Sequence, residues 1–340
     1  MQKRLLARLC LLPENANIDL DWLKATWAEA PGEWVRRFWE NDKGGRAKNC
    51  KIVAGASQHD KRAIISCCRN HLRYAEVYKT GSFSLHKQDW TENPFTAVKN
   101  LLIDFYDPYF YKGEGYPGTG PGNFTKDTYL AALSHQISVC PYTDESVHLI
   151  KMDHFLPKEE FPILSCHPDN LISCSTDANS GQIKGRRVPL DMGNASQAGQ
   201  WLHPRLRPAA TGTKIRHNTI FRIRFHIGLV GLKTRLEAKD PSIQKRIDKF
   251  QDFFKISEFW SKNLDDEVQG LSGSIADTLR DYGLPPTAQN ICKLLKREHR
   301  RARRFIGCHD RGIVTAAFIW HVLASQSLFE QVKSTCERGT

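Results

Sequence analysis

The segment Met152-Asp153-His154-Phe155-Leu156-Pro157-Lys158, followed by Asn170-Leu171, Cys174, Asn179-Ser180 and Lys184, gathers a carboxylate, an imidazole and two amides in one short stretch. These groups can hold a hard divalent cation and activate a water against a phosphodiester. Asp153 is an anionic oxygen ligand, and the amide oxygen of Asn179 supplies a neutral one. Two protein ligands leave room for water and phosphate oxygens, the arrangement Mg²⁺ favours. His154 titrates near neutrality and can take a proton from that water, while Asn170 can fix the imidazole by hydrogen bonding. Neighbouring side chains on an extended strand point to opposite faces, so Asp153 and His154 serve one metal and one phosphate only from a twisted strand end. Each piece alone has an ordinary reading, Asp-His as a strand end and Asn-Ser-Gly as a turn. The joint pattern carries the chemistry.

The run from Asp153 to Lys158, then Phe161 to Leu164, Pro168, Asn170-Leu171, Cys174, Asn179-Ser180, Lys184 and Leu202-His203-Pro204 resembles the HNH, or ββα-metal, endonucleases. It is similar in particular to the bacterial branch with a DHFLPK, NL, C-x-x-CN, K, HPY order. The resemblance covers residues 137–207. It implies His154 as general base, Asp153 and Asn179 as ligands of Mg²⁺ or another divalent cation such as Mn²⁺ or Ni²⁺, Asn170 as the group that positions the histidine, and Lys184 as a phosphate contact. The implied fold is a β-hairpin followed by a helix that starts near Cys174. Within the family, the context that looks closest is the HNH effector of bacterial anti-phage systems such as Zorya, with Septu and retron effectors as neighbours. That context implies DNA as substrate and other components of a defence system as partners.

The sequence departs from the family pattern at its zinc knuckles. The two Cys-x-x-Cys positions read Cys140-Pro141-Tyr142-Thr143 and Cys174-Ser175-Thr176-Asp177, each without its second thiolate. A closed zinc site wants four N or S ligands. Cys140 and Cys174 therefore read as a vestigial knuckle and structural Zn²⁺ is not expected, although Cys166 and His167 could substitute. An extra residue between Cys174 and Asn179 leaves Asp177 as the alternative catalytic-metal ligand.

The formal charge of +12 is concentrated after the motif, from Lys184, Arg186 and Arg187 through Arg222 and Arg224 to Arg235, where Asp191 is the lone carboxylate. Such a field attracts polyanions to an adjacent site. A second basic cluster, Lys293 to Arg304, reads equally as a solvated helix face or as a DNA contact. Ten irregularly spaced cysteines, including adjacent Cys67-Cys68, are not a secreted disulfide framework. Arg4 and Arg8 interrupt the N-terminal apolar stretch, so neither a leader nor a membrane span is expected and the cytoplasm is the expected compartment.

At 340 residues the chain is too long for one core. The expected fold class is α+β: a mostly helical chain with a central ββα-metal nuclease core. The segments are a helical region at 1–111, a Gly/Pro-rich hinge and lead-in at 112–130, the nuclease core at 131–214, and a basic strand with helices at 215–340. Residues 19–40 read as two helices broken by Pro31-Gly32, with their tryptophans as core. Residues 59–80, 94–106, 241–262, 287–305 and 313–332 also read as helical. Residues 215–230 alternate Arg222, Arg224 and His226 with Phe221, Ile223 and Phe225, a half-buried strand with a basic face. The glycine-rich loop 112–122 lacks the Gly-Lys-Ser/Thr ending of a phosphate loop, so no nucleotide cofactor is expected. Two other readings stand beside this one: a sequence-specific restriction or homing-type nuclease, and a degenerate module that binds DNA without cutting.

Overall fold

The structure, a computed structural model, describes the chain except residues 41–44, 81–84, 86–87, 114, 118–122, 134–138, 149, 182, 190–200, 205–209, 212–213, 216–221, 228–231, 263, 307–310 and 340. It is mainly helical with small antiparallel strand pairs, an α+β arrangement. The chain divides into two compact units: Met1–His135 with Met152–Ile172 and Arg186–Gln200, and Gln136–Lys151 with Ser173–Gly185 and Trp201–Thr340. The segment 131–214, expected to stand by itself, is thus split between them.

Unit 1 is built from helices α1 (Gln2–Leu11), α2 (Leu20–Thr26), α3 (Gly32–Glu40), α4 (Arg46–Gly55), α5 (Gln58–Leu72), α6 (Tyr74–Thr80) and α7 (Phe95–Asp104), with α8 (Lys126–Leu133) after a short hairpin. The break between α2 and α3 falls at Pro31-Gly32 as the punctuation predicts. Asp19 caps α2 by accepting from Trp22 N at 2.9 Å, and Ser57 caps α5 by accepting from Asp60 N at 3.0 Å. Trp27, Trp34 and Phe38 are buried in an aromatic cluster with Phe105 and Tyr109, centroids 5.0 to 6.0 Å apart. They are core, not a stacking platform. The Lys61 ammonium is also buried, and donates to the carbonyls of Leu12, Pro13 and Ala54 at 3.0, 2.9 and 2.5 Å. It satisfies the chain ends of α1 and α4, where backbone acceptors run out of helical partners.

The backbone continues past α7 as a π-helical turn, Phe105–Tyr111, with Pro108 inside it. The described part of the loop expected as a hinge is docked instead. Gly115 O accepts from Trp34 Nε1 at 3.0 Å, and β1 (Tyr116–Pro117) pairs with β2 (Asn123–Phe124). Gly113 and Gly115 sit at φ 90° and 71°, a conformation side chains resist. Residues 118–122 lie outside the described part.

The hairpin of the motif exists as β3 (Ile150–His154) beside β4 (Leu171–Ser175). Residues 152–154 and 171–172 belong to unit 1, and 150–151 and 173–175 to unit 2. Among the described residues between 176 and 189 the expected helix after Cys174 is not formed. Ser175 starts one helical turn, accepting from Asn179 N at 3.2 Å on its carbonyl and from Ala178 N at 3.2 Å on its hydroxyl. The chain then runs on as turns, with Gly181 following at once and Gly185 at φ 49°. A side chain at Gly185 would approach Gly181 Cα at 3.0 Å, so this turn is held tight by two glycines rather than extended into a helix.

Unit 2 contains the rung β5 (Ala210–Thr211) with β6 (Lys214–Ile215), the hairpin β7 (Arg222–Ile227) with β8 (Leu232–Glu237), and helices α9 (Pro241–Phe254), α10 (Ile256–Ser261), α11 (Leu264–Asp281), α12 (Ala288–Arg304), α13 (Gly312–Ala324) and α14 (Gln326–Gly339). The period-two reading holds where it is described: Ile223 and Phe225 are buried, Arg224 and His226 exposed. Ile220 and Phe221 lie outside the described residues, as does the side chain of Arg222. Across the hairpin Leu232, Thr234 and Leu236 face inward and Lys233 and Arg235 outward. Phe225 stacks on His321 at 5.2 Å and meets Phe318 edge-on at 5.6 Å. Among the described residues no single helix is long and apolar enough to cross a membrane.

Candidate functional site

His154 closes β3 half-buried, and its Nε2 lies 2.8 Å from the Ser165 carbonyl. A carbonyl only accepts, so Nε2 carries the proton and Nδ1 carries the lone pair a general base needs. The imidazole ring stands edge-on to Tyr106, centroids 4.3 Å apart, and Lys158 Nζ lies 5.0 Å over that same phenol ring. Asp153, one residue earlier, is buried at 6% exposure. Burial first, and among nearby charges Asp153 too, raises the pKa of the Tyr106 hydroxyl.

The Ser165 carbonyl is fixed because Ser165 itself is fully buried and tied to two helices. Its Oγ donates to Leu102 O of α7 at 2.8 Å and accepts from Gln2 Nε2 of α1 at 3.1 Å. The rest of the 155–170 excursion is stitched down in the same way. Trp90 Nε1 donates to Glu160 O at 3.0 Å, Tyr129 OH to Pro168 O at 3.2 Å and Tyr74 OH to Asp169 O at 3.4 Å. Side chains from elsewhere in unit 1 thus supply the donors that a loop cannot supply for itself.

Asn170 was expected to hold the imidazole directly. Its side chain is instead fully committed elsewhere: Oδ1 accepts from Leu156 N at 2.8 Å, and Nδ2 donates to Leu156 O at 3.0 Å and Leu164 O at 3.1 Å. With Phe155 N on Asn170 O at 2.9 Å, these bonds close the excursion next to Ser165. Asn170 acts on His154 at one remove, by fixing the loop that presents the carbonyl.

The remaining sequence-derived residues belong to unit 2, apart from Arg186 and Arg187. Asn179 is half-buried and Asp177 exposed in the turns after β4. Lys184, expected to meet phosphate, is 1% exposed, so its ammonium is not presented on the surface. Arg186 and Arg187 are exposed. Arg224 is exposed and pairs with Glu237 at 3.0 Å.

Cys140 and Cys174 are both buried, and Cys174 Sγ lies 3.8 Å from Lys151 O. The first knuckle keeps its tight turn, with Asp144 N on Cys140 O at 2.8 Å and Asp144 at φ 60°. Its anchors are C-terminal helices: Tyr142 stacks on Phe254 at 4.3 Å and Trp260 Nε1 donates to Thr143 O at 2.6 Å. Asp144 Oδ2 accepts from Ile313 N at 2.9 Å, an anion at the start of α13. These contacts hold the turn against the C-terminal helices. Burial raises the pKa of the Cys166 thiol to about 11, and its Sγ lies 3.6 Å from Tyr116 OH. His167 Nδ1 accepts from Asp169 N at 3.3 Å, capping the turn before Asn170. Among the described residues no group of three or more His, Cys, Asp or Glu could hold a metal. One carboxylate with amide and water ligands is a set of a different kind.

Sequence reasoning missed Ser165 and Tyr106. A backbone acceptor leaves no mark in residue type. The aromatic run Phe105-Tyr106-Asp107-Pro108-Tyr109-Phe110-Tyr111 was a visible signal for Tyr106. No family model matches the chain, and no curated protein or solved structure matches it.

Proposed function

We propose that this protein is a metal-dependent endonuclease or nickase of the HNH type acting on DNA, with little sequence specificity. The observation that carries the reading is the imidazole of His154 directly after Asp153, with Nε2 held by the Ser165 carbonyl so that Nδ1 is the basic nitrogen. His154 takes the proton from the attacking water. Asp153 suits a hard cation as an anionic oxygen ligand next to the imidazole in sequence. The second ligand comes from the sequence pattern alone, Asn179, with Asp177 the alternative. A bound Mg²⁺ or Mn²⁺ would supply Lewis-acid stabilisation of the charge that develops on the phosphate. Arg186 and Arg187 are the exposed cations proposed to meet the phosphate backbone; Arg224, shared with Glu237, is the weaker candidate.

A role as an anti-phage effector with partner components follows from the family resemblance. A site-specific nuclease needs a base-reading element, which the described elements do not identify. A pure binding module has no use for a base fixed in one tautomer. The ligand assignment is tested by Mg²⁺ titration of cleavage. Asp153→Ala and Asn179→Ala should abolish or right-shift it and Asp177→Ala should not. A dead Asp177→Ala beside a normal Asn179→Ala overturns the assignment.

A further inference from the structure

Helix α12 carries Lys293, Lys296, Arg297, Arg300, Arg303 and Arg304, all exposed. None of them has a hydrogen bond or ion pair with a described residue, and only Arg301 pairs with Glu298, at 3.7 Å. Three other helices pair a surface cation internally: Arg36 with Glu33 at 2.8 Å, Arg280 with Asp277 at 2.9 Å, Lys333 with Glu330 at 3.7 Å. Three- and four-residue spacings place the α12 cations on one face, where like charges weaken the helix. The helix dipole rewards positive charge only in the last turn, yet the row begins at Lys293, well before it. The opposite face, Ile291, Leu294 and Leu295, is buried in unit 2 at 0, 9 and 0% exposure. No apolar stripe is left to enter a lipid surface, as an interfacial helix requires.

The hairpin β7–β8 is less suited. Arg224 is paired with Glu237, and His226, Lys233 and Arg235 line a groove of about 640 Å³ shared with Asp248, Asp252 and Glu258. We propose that α12 is a sequence-independent contact surface for the phosphate backbone of duplex DNA. From Lys293 to Arg304 the row spans roughly 16 Å at 1.5 Å per residue. Over that length duplex DNA offers on the order of ten phosphate charges. Trp320 of α13, 59% exposed and 5.4 Å from His299, adds an aromatic surface beside the row.

The inference rests on the choice of DNA as partner made above, and not on hydrolysis. It is tested on the full chain in EDTA, by anisotropy of labelled duplexes of unrelated sequence over a salt series. Lys293→Gln, Lys296→Gln, Arg300→Gln and Arg304→Gln are combined, since glutamine keeps helix propensity. The slope of log affinity against log salt should fall by about 0.9 per lost contact, so by roughly three and a half units, equally for all sequences. An Arg224→Gln, Arg235→Gln pair should change it by less. An unchanged slope and affinity in a cooperatively melting α12 variant overturns the proposal. So does tighter binding of polyglutamate or phosphatidylserine vesicles than of duplex, lost in the same variant. Cleavage without α12-dependent binding would refute this inference alone, whereas α12-dependent binding without cleavage would refute the nuclease alone.

Discussion

His154 and Asn170 stand side by side in the motif, yet the structure gives them separable roles. The imidazole touches Tyr106 and one carbonyl, whereas the amide of Asn170 satisfies three buried backbone groups. Removing Asn170 strands Leu156 N and Leu156 O, each unsatisfied group costing about 1–3 kcal/mol, while Leu164 O keeps His167 N at 3.1 Å. Asn170→Ala should therefore melt well below wild type and lose activity with the fold, while His154→Ala should lose activity with a nearly normal melt. Equal melting temperatures for the two variants would return Asn170 to the imidazole. Tyr106 gives a second test at this scale. Tyr106→Phe keeps the ring against His154 and should cut normally. Tyr106→Ala frees the imidazole and should lower kcat more than it raises KM. Neither Tyr106 nor the Ser165 carbonyl follows from spacing, because one acts through ring packing from a distant helix and the other through the backbone.

At the scale of elements, legibility tracked how local the cause was. The α2–α3 break was written in Pro31-Gly32 and the inward face of β7 in its alternation. The turns at 176–186 were not foreseen, because the expected helix came from resemblance while Gly181 and Gly185 act locally against it. The glycine-rich loop 112–122 reads as a hinge, and in its described part Trp34 from another element donates to Gly115 O. The turn capped by His167 yields a pH prediction. Burial lowers the His167 pKa below its ordinary 6.5, against a smaller opposing pull from Asp169. Between the folded value and 6.5 the unfolded chain binds more protons, so stability rises with pH there. It is present above the unfolded pKa and is lost as pH falls toward the folded one, when protonated Nδ1 can no longer accept from Asp169 N. His167→Asn keeps an acceptor without the titration and should flatten the decline of melting temperature between neutral and mildly acid pH. An undiminished decline would place its origin elsewhere.

Across the whole molecule, a motif contiguous in sequence is divided in space. The 155–170 excursion is tied to N-terminal elements through Trp90 and the Leu102 carbonyl, while the Cys140 turn is anchored by C-terminal helices. Segmenting the chain at 131 and 214 missed this because long-range donors such as Gln2, Trp90 and Trp260 carry no sign of their acceptors. What unites these parts is the claim that His154 is a base against a DNA phosphodiester. Supercoiled plasmid incubated with the purified full chain tests it most directly, with Mg²⁺, with Mg²⁺ and excess EDTA, and with His154→Ala in Mg²⁺. The account predicts nicked or linear product in the first lane only, the histidine variant being slower by about 10²–10⁴-fold, the usual worth of a positioned proton acceptor. Cleavage at the wild-type rate by His154→Ala, or cleavage indifferent to EDTA, would contradict it.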